Sequence, residues 1–510
     1  MSKLTRASIV VAFFFGIDKI AAFARLMINA RLFGLSQEYD AFNVANNIPD
    51  MLFALISGGA LAMAFIPVLT ETLTKGSRSQ AWDLFSRIAN LAFLTTLVLA
   101  LIVAVLAGPL VRSQVGVAPG FGPEQQQLVE NLMRLNLIAT MIFSISGLVM
   151  AGLQANQHFL LPAMAPLLYN IGQIFGAAIL APEQGFSIGP ITLPAFGLGI
   201  YGLVYGVIIG AVLHLGIQIP GMIRYGYRWK PVIDLTSAPV KKVLRLIGPR
   251  LVTMMMVQLI FIVRDNLASR LETGSVTSLT YGWMIMQVPE TLIGTAIGIA
   301  LLPTLSELAA KDEREAFGAT IQRAMQVITA LTLPIALVLA LGLRPLLAAA
   351  FDFGPEGTDV LMWTTRGFLL GLTGQCLLEV AIRSFYARQD ARTPLITAGI
   401  NFVVFTVLSI VLSQLWGAPG ISTADSIAFT SQAVLLFVLL NRRLAQRLTP
   451  GPALLRGLIG ALVGGALVMV FTMLPVSASQ PLLIGTAALA LGGLAAMPVI
   501  WKELRLLLRL

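Results

Sequence analysis

DAFNVANNIPD, residues 40–50, lies inside a run that otherwise reads as a membrane-spanning helix. Asp40, Asn43, Asn47 and Asp50 recur every three or four residues with Asn46 beside them, so on a helix they form one continuous polar stripe. A helix in lipid carries such a stripe only where it faces partner groups or water. The stretch therefore implies a membrane helix and a polar interior at once.

The rest of the chain agrees on the solvent. Of 510 residues 57% are hydrophobic and 11% charged, and apolar windows of roughly 20 residues recur from end to end. The expected class is an all-α polytopic membrane protein with about fourteen transmembrane helices, the first over 8–31, the second over 41–70 and the last over 482–500. No pattern of a cleaved signal peptide precedes the first span. One cysteine, Cys376, and two histidines, His158 and His214, make neither a disulfide framework nor a Cys/His metal site, so no metal or cofactor is expected.

Most of the 34 Lys and Arg collect on one side of the predicted spans, from Lys3 and Arg6 through Lys75, Arg78 and Arg87 to Lys502, Arg505 and Arg509. By the positive-inside rule both termini are cytoplasmic. The net charge of +10 is thus topological. It sits in short loops beside lipid headgroups with no nucleic-acid module, and nucleic acid is not an expected partner. The longest basic segment, RYGYRWKPVIDLTSAPVKKVLRLIGPR (224–250), predicts a surface helix starting near Ala238 and divides the chain. The expected organisation is an N-lobe over 1–223, a basic linker over 224–246, a C-lobe over 247–445 and a C-terminal helix pair over 446–510.

The two lobes read as repeats. FARLMINARL (23–32) aligns with IVRDNLASRL (262–271), placing Arg25 on Arg264 and Arg31 on Arg270. AFIPVLTETL (64–73) matches ALLPTLSELA (300–309), and Pro49 and Pro289 keep nearly the same offset. Both first helices run in one direction, so the expected pseudo-symmetry axis is perpendicular to the membrane.

Charges inside the spans mark the candidate site, because an intramembrane charge costs on the order of 2.5 to 3.5 kcal/mol unless it is partnered or wet. The first helix holds Asp18, Lys19 and Arg25, with Asp18 and Arg25 on one face. The second holds the opening stripe. The repeat adds Arg264 and Asp265, and Glu379 and Arg383 are spaced for an ion pair. Arg25, Lys19, Asp40, Asn43, Asn47, Asp50 and Arg264 are the candidate substrate-binding residues. Asp18, Asp265, Glu379 and Arg383 are candidates for coupling or ion pairing. No catalytic triad and no phosphate-cradling G-x-x-x-x-G-K-[ST] occurs, so the expectation is a transporter driven by an ion gradient, the membrane potential or the substrate's own gradient rather than an enzyme.

At these residues the chain resembles the MurJ/MviN family, lipid II flippases of the multidrug/oligosaccharidyl-lipid/polysaccharide exporter superfamily. The resemblance rests on FARLMINARLFGLSQEYDAFNVANNIP, GLQANQHFLLPAMAPLLYNIGQI (152–174), GSVTSLTYGWMIMQVPETLIGTAIGIALLPTLSEL (274–308) and RSFYARQDARTP (383–394). It implies two six-helix lobes around a cationic cavity, a C-terminal pair forming a hydrophobic groove, and location in the bacterial inner membrane. It also implies translocation of undecaprenyl-pyrophosphate-linked peptidoglycan precursor from inner to outer leaflet by alternating access. Lipid-linked glycan, membrane lipids and peptidoglycan synthesis proteins are the implied partners.

Arg25 matches the family's F-A-R arginine, Asp40 the acid of D-A-F, and Lys19 stands where the family usually has arginine. The chain departs elsewhere. DMLFAL (50–55) and Gly58-Gly59 replace a segment with two arginines and a glutamate, and Tyr281-Gly282-Trp283-Met284 lacks a further arginine. Arg264 is the candidate compensation. The alternatives are export of another polyprenyl-linked saccharide or an amphiphilic cation, and a non-transporting membrane scaffold.

Overall fold

The computed structural model describes residues 3–57, 59–185, 187–188, 191–444, 447–449, 451–473 and 480–507. Gly58 and Arg509, and the side chains of Gly59, Lys3, Arg6 and Arg250, lie outside what is described. Contacts divide the chain into two compact units, Met1–Asn266 and Leu267–Leu510.

The first unit holds α1 (Lys3–Phe33), α2 (Gln37–Leu52), α3 (Gly59–Lys75), α4 (Arg78–Val105), α5 (Ala107–Arg112), α6 (Pro123–Ala155), α7 (Leu160–Phe175), α8 (Ile200–Gly216), α9 (Ile219–Arg224) and nearly all of α10 (Ala238–Ala268). The second holds α11 (Ser275–Glu290), α12 (Ala296–Ala310), α13 (Arg314–Gly342), α14 (Arg344–Phe351), α15 (Gly354–Leu369), α16 (Leu372–Ala387), α17 (Arg392–Trp416), α18 (Ala418–Asn441), α19 (Gly451–Met473), α20 (Pro481–Ala496) and α21 (Trp501–Leu507). Every predicted span falls on helix, and 10 helical segments among the described residues are long and apolar enough to cross a membrane. A two-residue hairpin, Ser187–Ile188 against Ile191–Thr192, is the one strand pairing among the described residues.

The structure refines three expectations. The second span is not one regular helix, because a π-helical turn, Phe53–Ser57, joins α2 to α3. The eighth span repeats this, with Thr291–Thr295 joining α11 to α12. The helix predicted from Ala238 starts there but does not end as a separate surface element; α10 runs unbroken to Ala268.

Some helices bury small and polar side chains and expose apolar ones. Along α17, Asn401, Phe405, Ser409 and Ser413 recur every fourth residue and are buried, while Ile396, Ile400, Val403, Val407 and Ile410 are exposed. In lipid the tails solvate isoleucine as well as a neighbouring helix does, so the interior is free to take small and polar side chains.

Small residues form the seams. Gly202, Gly206 and Gly210 repeat every fourth position on α8 and meet Gly172 and Gly176 of α7 and the following turn. A Cβ on Gly172 would stand 2.4 Å from the Gly210 Cα, and one on Gly176 would stand 2.5 Å from the Gly206 Cα. Backbone packs on backbone there. In the second unit Gly464 of α19 meets the Gly492 carbonyl of α20 in the same manner, a Cβ at 464 coming within 2.7 Å.

The connection before α10 is strapped to the first unit. Asn90 donates to the carbonyls of Lys230 (2.7 Å) and Val232 (3.0 Å), Trp229 Nε1 donates to Asn90 (2.8 Å), Arg87 pairs with Asp234, and Lys242 pairs with Glu71 at 2.6 Å. The Asp234 carboxyl is held down to about 2, chiefly by the Thr236 hydroxyl and then by backbone N–H groups and Arg87. A lowered carboxylate pKa means that this fastening is complete above the ordinary range near 4 and is lost only as pH falls toward 2.

Gly206→Leu forces a side chain into the α7 backbone. The expected result is a loss of about 1–3 kcal/mol or more, seen as a lower unfolding temperature of the detergent-purified protein; an unchanged temperature would show that the seam yields without cost.

Candidate substrate site

The stripe on α2 forms as expected, and its members have different destinations. Asp40 is buried. Asn43 is half-buried on the same face. Asn46 accepts from Asn136 of α6 at 2.8 Å and donates to the Phe42 carbonyl at 2.9 Å. Asn47 donates to Asp265 at 2.5 Å, and Asp265 also accepts from Arg264 Nε at 3.0 Å. Asp50, at the end of the stripe, is exposed and lies within Coulombic range of Arg25 on α1 and of Tyr169 on α7.

The upper stripe therefore fastens α2 to α6 and α10, and its last residue faces accessible space opposite a half-buried arginine. The local backbone explains the arrangement. Pro49 lacks an N–H, the π-helical turn begins three residues after Asp50, and the Thr140 hydroxyl of α6 donates to the Pro49 carbonyl at 3.4 Å. Such turns are frequent where a helix carries a functional side chain.

Asp18 and Arg25 do not pair with each other. Asp18 is buried and accepts from Asn170 Nδ2 of α7 at 2.8 Å, with the largely exposed Lys19 ammonium 3.8 Å away. Asn170 and Tyr169 were not among the predicted site residues, although both lie in the stretch GLQANQHFLLPAMAPLLYNIGQI. Asn29 Oδ1 on α1 and Asn170 Oδ1 and Gln173 Nε2 on α7 are buried without a hydrogen-bond partner among the described residues. Arg264 is buried against Asp265, its guanidinium 4.8 Å over the Phe261 ring.

The second unit has its own charged row. Glu379 and Arg383 pair along α16. Glu290, at the end of α11, is buried, accepts from the Thr295 hydroxyl at 3.1 Å and lies within Coulombic range of Arg383. Glycines make room for this row: a Cβ on Gly294 would stand 2.9 Å from Glu290 Oε1, and one on Gly298 would stand 2.6 Å from Arg383 Nη1. Glu290 was not predicted, but the repeat contained the signal. Pro289-Glu290 precedes one π-helical turn as Pro49-Asp50 precedes the other. Close by, Gln375 donates to Asp425 of α18 at 3.2 Å.

Lipid-facing helices with polar interiors, joined by irregular turns that carry accessible or buried carboxylates beside arginines, define a polytopic membrane transporter. A family model described as lipid II flippase MurJ matches residues 29–489. The lipid II flippase MurJ of Burkholderia cenocepacia is 31% identical over 479 residues, covering 92% of this chain and 89% of that protein. The probable lipid II flippase MurJ of Vibrio cholerae is 27% identical over 446 residues, covering 85% and 82%. Among solved structures, lipid II flippase MurJ in an inward closed conformation aligns with a TM-score of 0.78 at 20% identity, covering 97% of this chain and 99% of that one. An inward-facing multidrug resistance MATE family transporter of the MOP superfamily aligns at 0.69 with 14% identity, covering 85% and 98%. The chain belongs to the MurJ family of lipid II flippases; it is a multi-pass membrane transporter and not an enzyme.

Asn170→Leu leaves the Asp18 carboxylate buried without its donor and is expected to cost about 1–3 kcal/mol. Thermal unfolding of the single variant and of Asp18→Leu/Asn170→Leu checks this, since removing both partners restores much of the loss. If the double variant is no better than the single one, the pair is not what the site depends on.

Proposed function

We propose that this chain moves lipid II, undecaprenyl-pyrophosphate-linked peptidoglycan precursor, from the inner to the outer leaflet of the bacterial cytoplasmic membrane by alternating access, with both termini cytoplasmic. The observation that carries the reading to residues is Arg25. It is half-buried on α1 and lies within Coulombic range of Asp50 at the accessible end of the α2 stripe, with no ion pair among the described residues. A guanidinium so placed is a permanently charged bidentate donor of the kind a pyrophosphate requires. Lys19, 77% exposed, adds a second cation on the same helix.

Arg264 has a different part in this reading. It is engaged by Asp265 on its own helix, which Asn47 of α2 also engages, so it reaches substrate only if that row opens. Asn43 and Asp50 are suited to hydroxyls and amides of the sugar-peptide head, both side chains carrying acceptor oxygens. The positions of the missing family arginines, Met51 to Ala54 and Met284, carry apolar side chains here. The head is therefore held by fewer charges and more hydrogen bonds.

Translocation draws on an ion gradient or the membrane potential. The second-unit row supports this: Glu290 and Glu379 share one arginine, Arg383, leaving one negative charge to be balanced when the row is fully ionised. A bound monovalent cation or proton supplies that balance, and Asp18 and Asp265 are the corresponding carboxylates of the first unit.

Expression in bacteria depleted of their own lipid II flippase tests the reading, with growth and outer-leaflet lipid II measured together. The chain should restore both, Arg25→Ala should abolish both at equal membrane abundance, and Arg25→Lys should retain part. Failure of the unaltered chain despite membrane insertion would transfer the assignment to another polyprenyl-linked saccharide. Glu290→Gln should reduce the transport rate at least about tenfold if the row couples transport, roughly 1.4 kcal/mol on the barrier; an unchanged rate removes the row from the mechanism.

A further inference from the structure

Several basic residues at the end of the second unit that carries the loop from α18 to α19 are held in ion pairs. Lys311 pairs with Glu307 at 2.6 Å, Arg314 with Asp312 at 3.0 Å, Arg443 with Asp390 at 2.6 Å, and Arg456 with Glu503 at 2.9 Å. Arg323 of α13 and Arg447 of the loop have no carboxylate partner among the described residues. They line one cavity of about 290 Å³ together with Gln322, Leu448 and Thr449. No acidic residue lines it; Glu315, about two turns earlier on α13, is outside the lining.

The wall of this cavity is braced. Gln322 accepts from the Thr449 N–H at 2.9 Å and donates to the Thr449 carbonyl. Asn441 accepts from the Leu448 N–H at 2.7 Å and donates to the Leu448 carbonyl at 3.3 Å. Two amide side chains, from α13 and α18, thus clamp consecutive loop residues from both sides. Arg323 uses Nε on the Ala319 carbonyl (3.3 Å) and Nη2 on the Thr320 hydroxyl (3.4 Å), contacts that orient the guanidinium without neutralising it. The shape is set and the charge is left open.

Apolar side chains follow the pocket's loop along the chain. α19 starts just past the loop, packs along α13, and exposes Leu454, Leu455 and Leu458 in its first two turns. A ligand that complements both parts has an anionic head and a hydrocarbon tail. Basic pockets at helix ends bind phosphorylated lipid headgroups for this reason, and arginine suits the phosphate geometry.

We propose that the Arg323–Arg447 cavity binds the headgroup phosphate of an anionic membrane lipid, with an acyl chain lying along the exposed leucines of α19. Inorganic phosphate offers the same head chemistry but leaves the leucines uncovered. None of Arg25, Glu290, Glu379 and Arg383 lines this cavity.

Native mass spectrometry of the detergent-purified full chain tests this, titrating phosphatidylglycerol, phosphatidylcholine and inorganic phosphate in turn. Phosphatidylglycerol should bind and phosphatidylcholine should bind at least about tenfold more weakly. Arg323→Gln/Arg447→Gln should weaken phosphatidylglycerol about tenfold or more, at about 1 kcal/mol for each lost cation. Ala319→Glu, which places a carboxylate beside Arg323, should have the same effect while keeping both arginines. Arg442→Gln, on the same loop but outside the cavity, should change nothing. Equal phosphatidylglycerol affinity in the double variant would overturn the proposal, and so would an equal loss in Arg442→Gln, which would mark a diffuse surface field. Inorganic phosphate binding as tightly as phosphatidylglycerol would overturn the lipid as occupant.

Discussion

In a hydrocarbon core a charge or amide that enters must find its partner within the protein, and in each unit described here this requirement determines which helices meet. Asp18 brings α1 to α7 through Asn170. Asp265 brings α10 to α2 through Asn47, with Arg264 completing the set. Asn136 and Thr140 bring α6 to α2, and Asn401 and Gln432 join α17 to α18 at 2.7 Å. Lipid solvates leucine too well for apolar contact alone to specify these pairings. Short polar side chains with fixed donor geometry supply the specificity.

Those side chains are short, and they reach one another because the helices come close. Asn170 lies two residues before Gly172, whose missing Cβ lets α7 touch the α8 backbone. In the second unit Gly294 and Gly298 leave space that the Glu290 carboxylate and the Arg383 guanidinium occupy. Glycine therefore acts here as a spacer for charge as well as a packing device. Lys19 and Asp50 are exposed and Arg25 is half-buried, and these are the groups on which the transport reading rests.

Much of this was legible in the chain. Spans follow from hydropathy because lipid imposes one length and one polarity on every helix, and among the described residues the predicted spans fall mainly on helix. The stripe on α2 followed from its period. What did not follow was partner choice: Asp18 and Arg25 share a face of α1, but the strongest donor to Asp18 belongs to another helix, and spacing within one helix carries no information about its neighbours. The continuity of α10 past the basic linker was hidden because charged residues at a membrane surface resemble a break in hydropathy without breaking the backbone. Glu290 is the repeat counterpart of Asp50 but lies outside any polar stripe, so periodicity alone does not mark it.

The two proline–acid–π-turn segments have a mechanical meaning. A π-helical turn holds one residue more than the α-helical ladder allows, so α3 and α12 each leave the turn rotated by about 100° relative to an unbroken helix. Each is a phase offset set into an otherwise stiff rod. Moving the extra residue one position along the ladder would turn the intervening side chains by that same angle at nearly constant helix length. Glu290 sits immediately before its offset and Asp50 three residues before the other. Migration of the offset toward either acid thus converts a small slip of hydrogen bonds into reorientation of a carboxylate, a form of torsional gearing that needs no hinge.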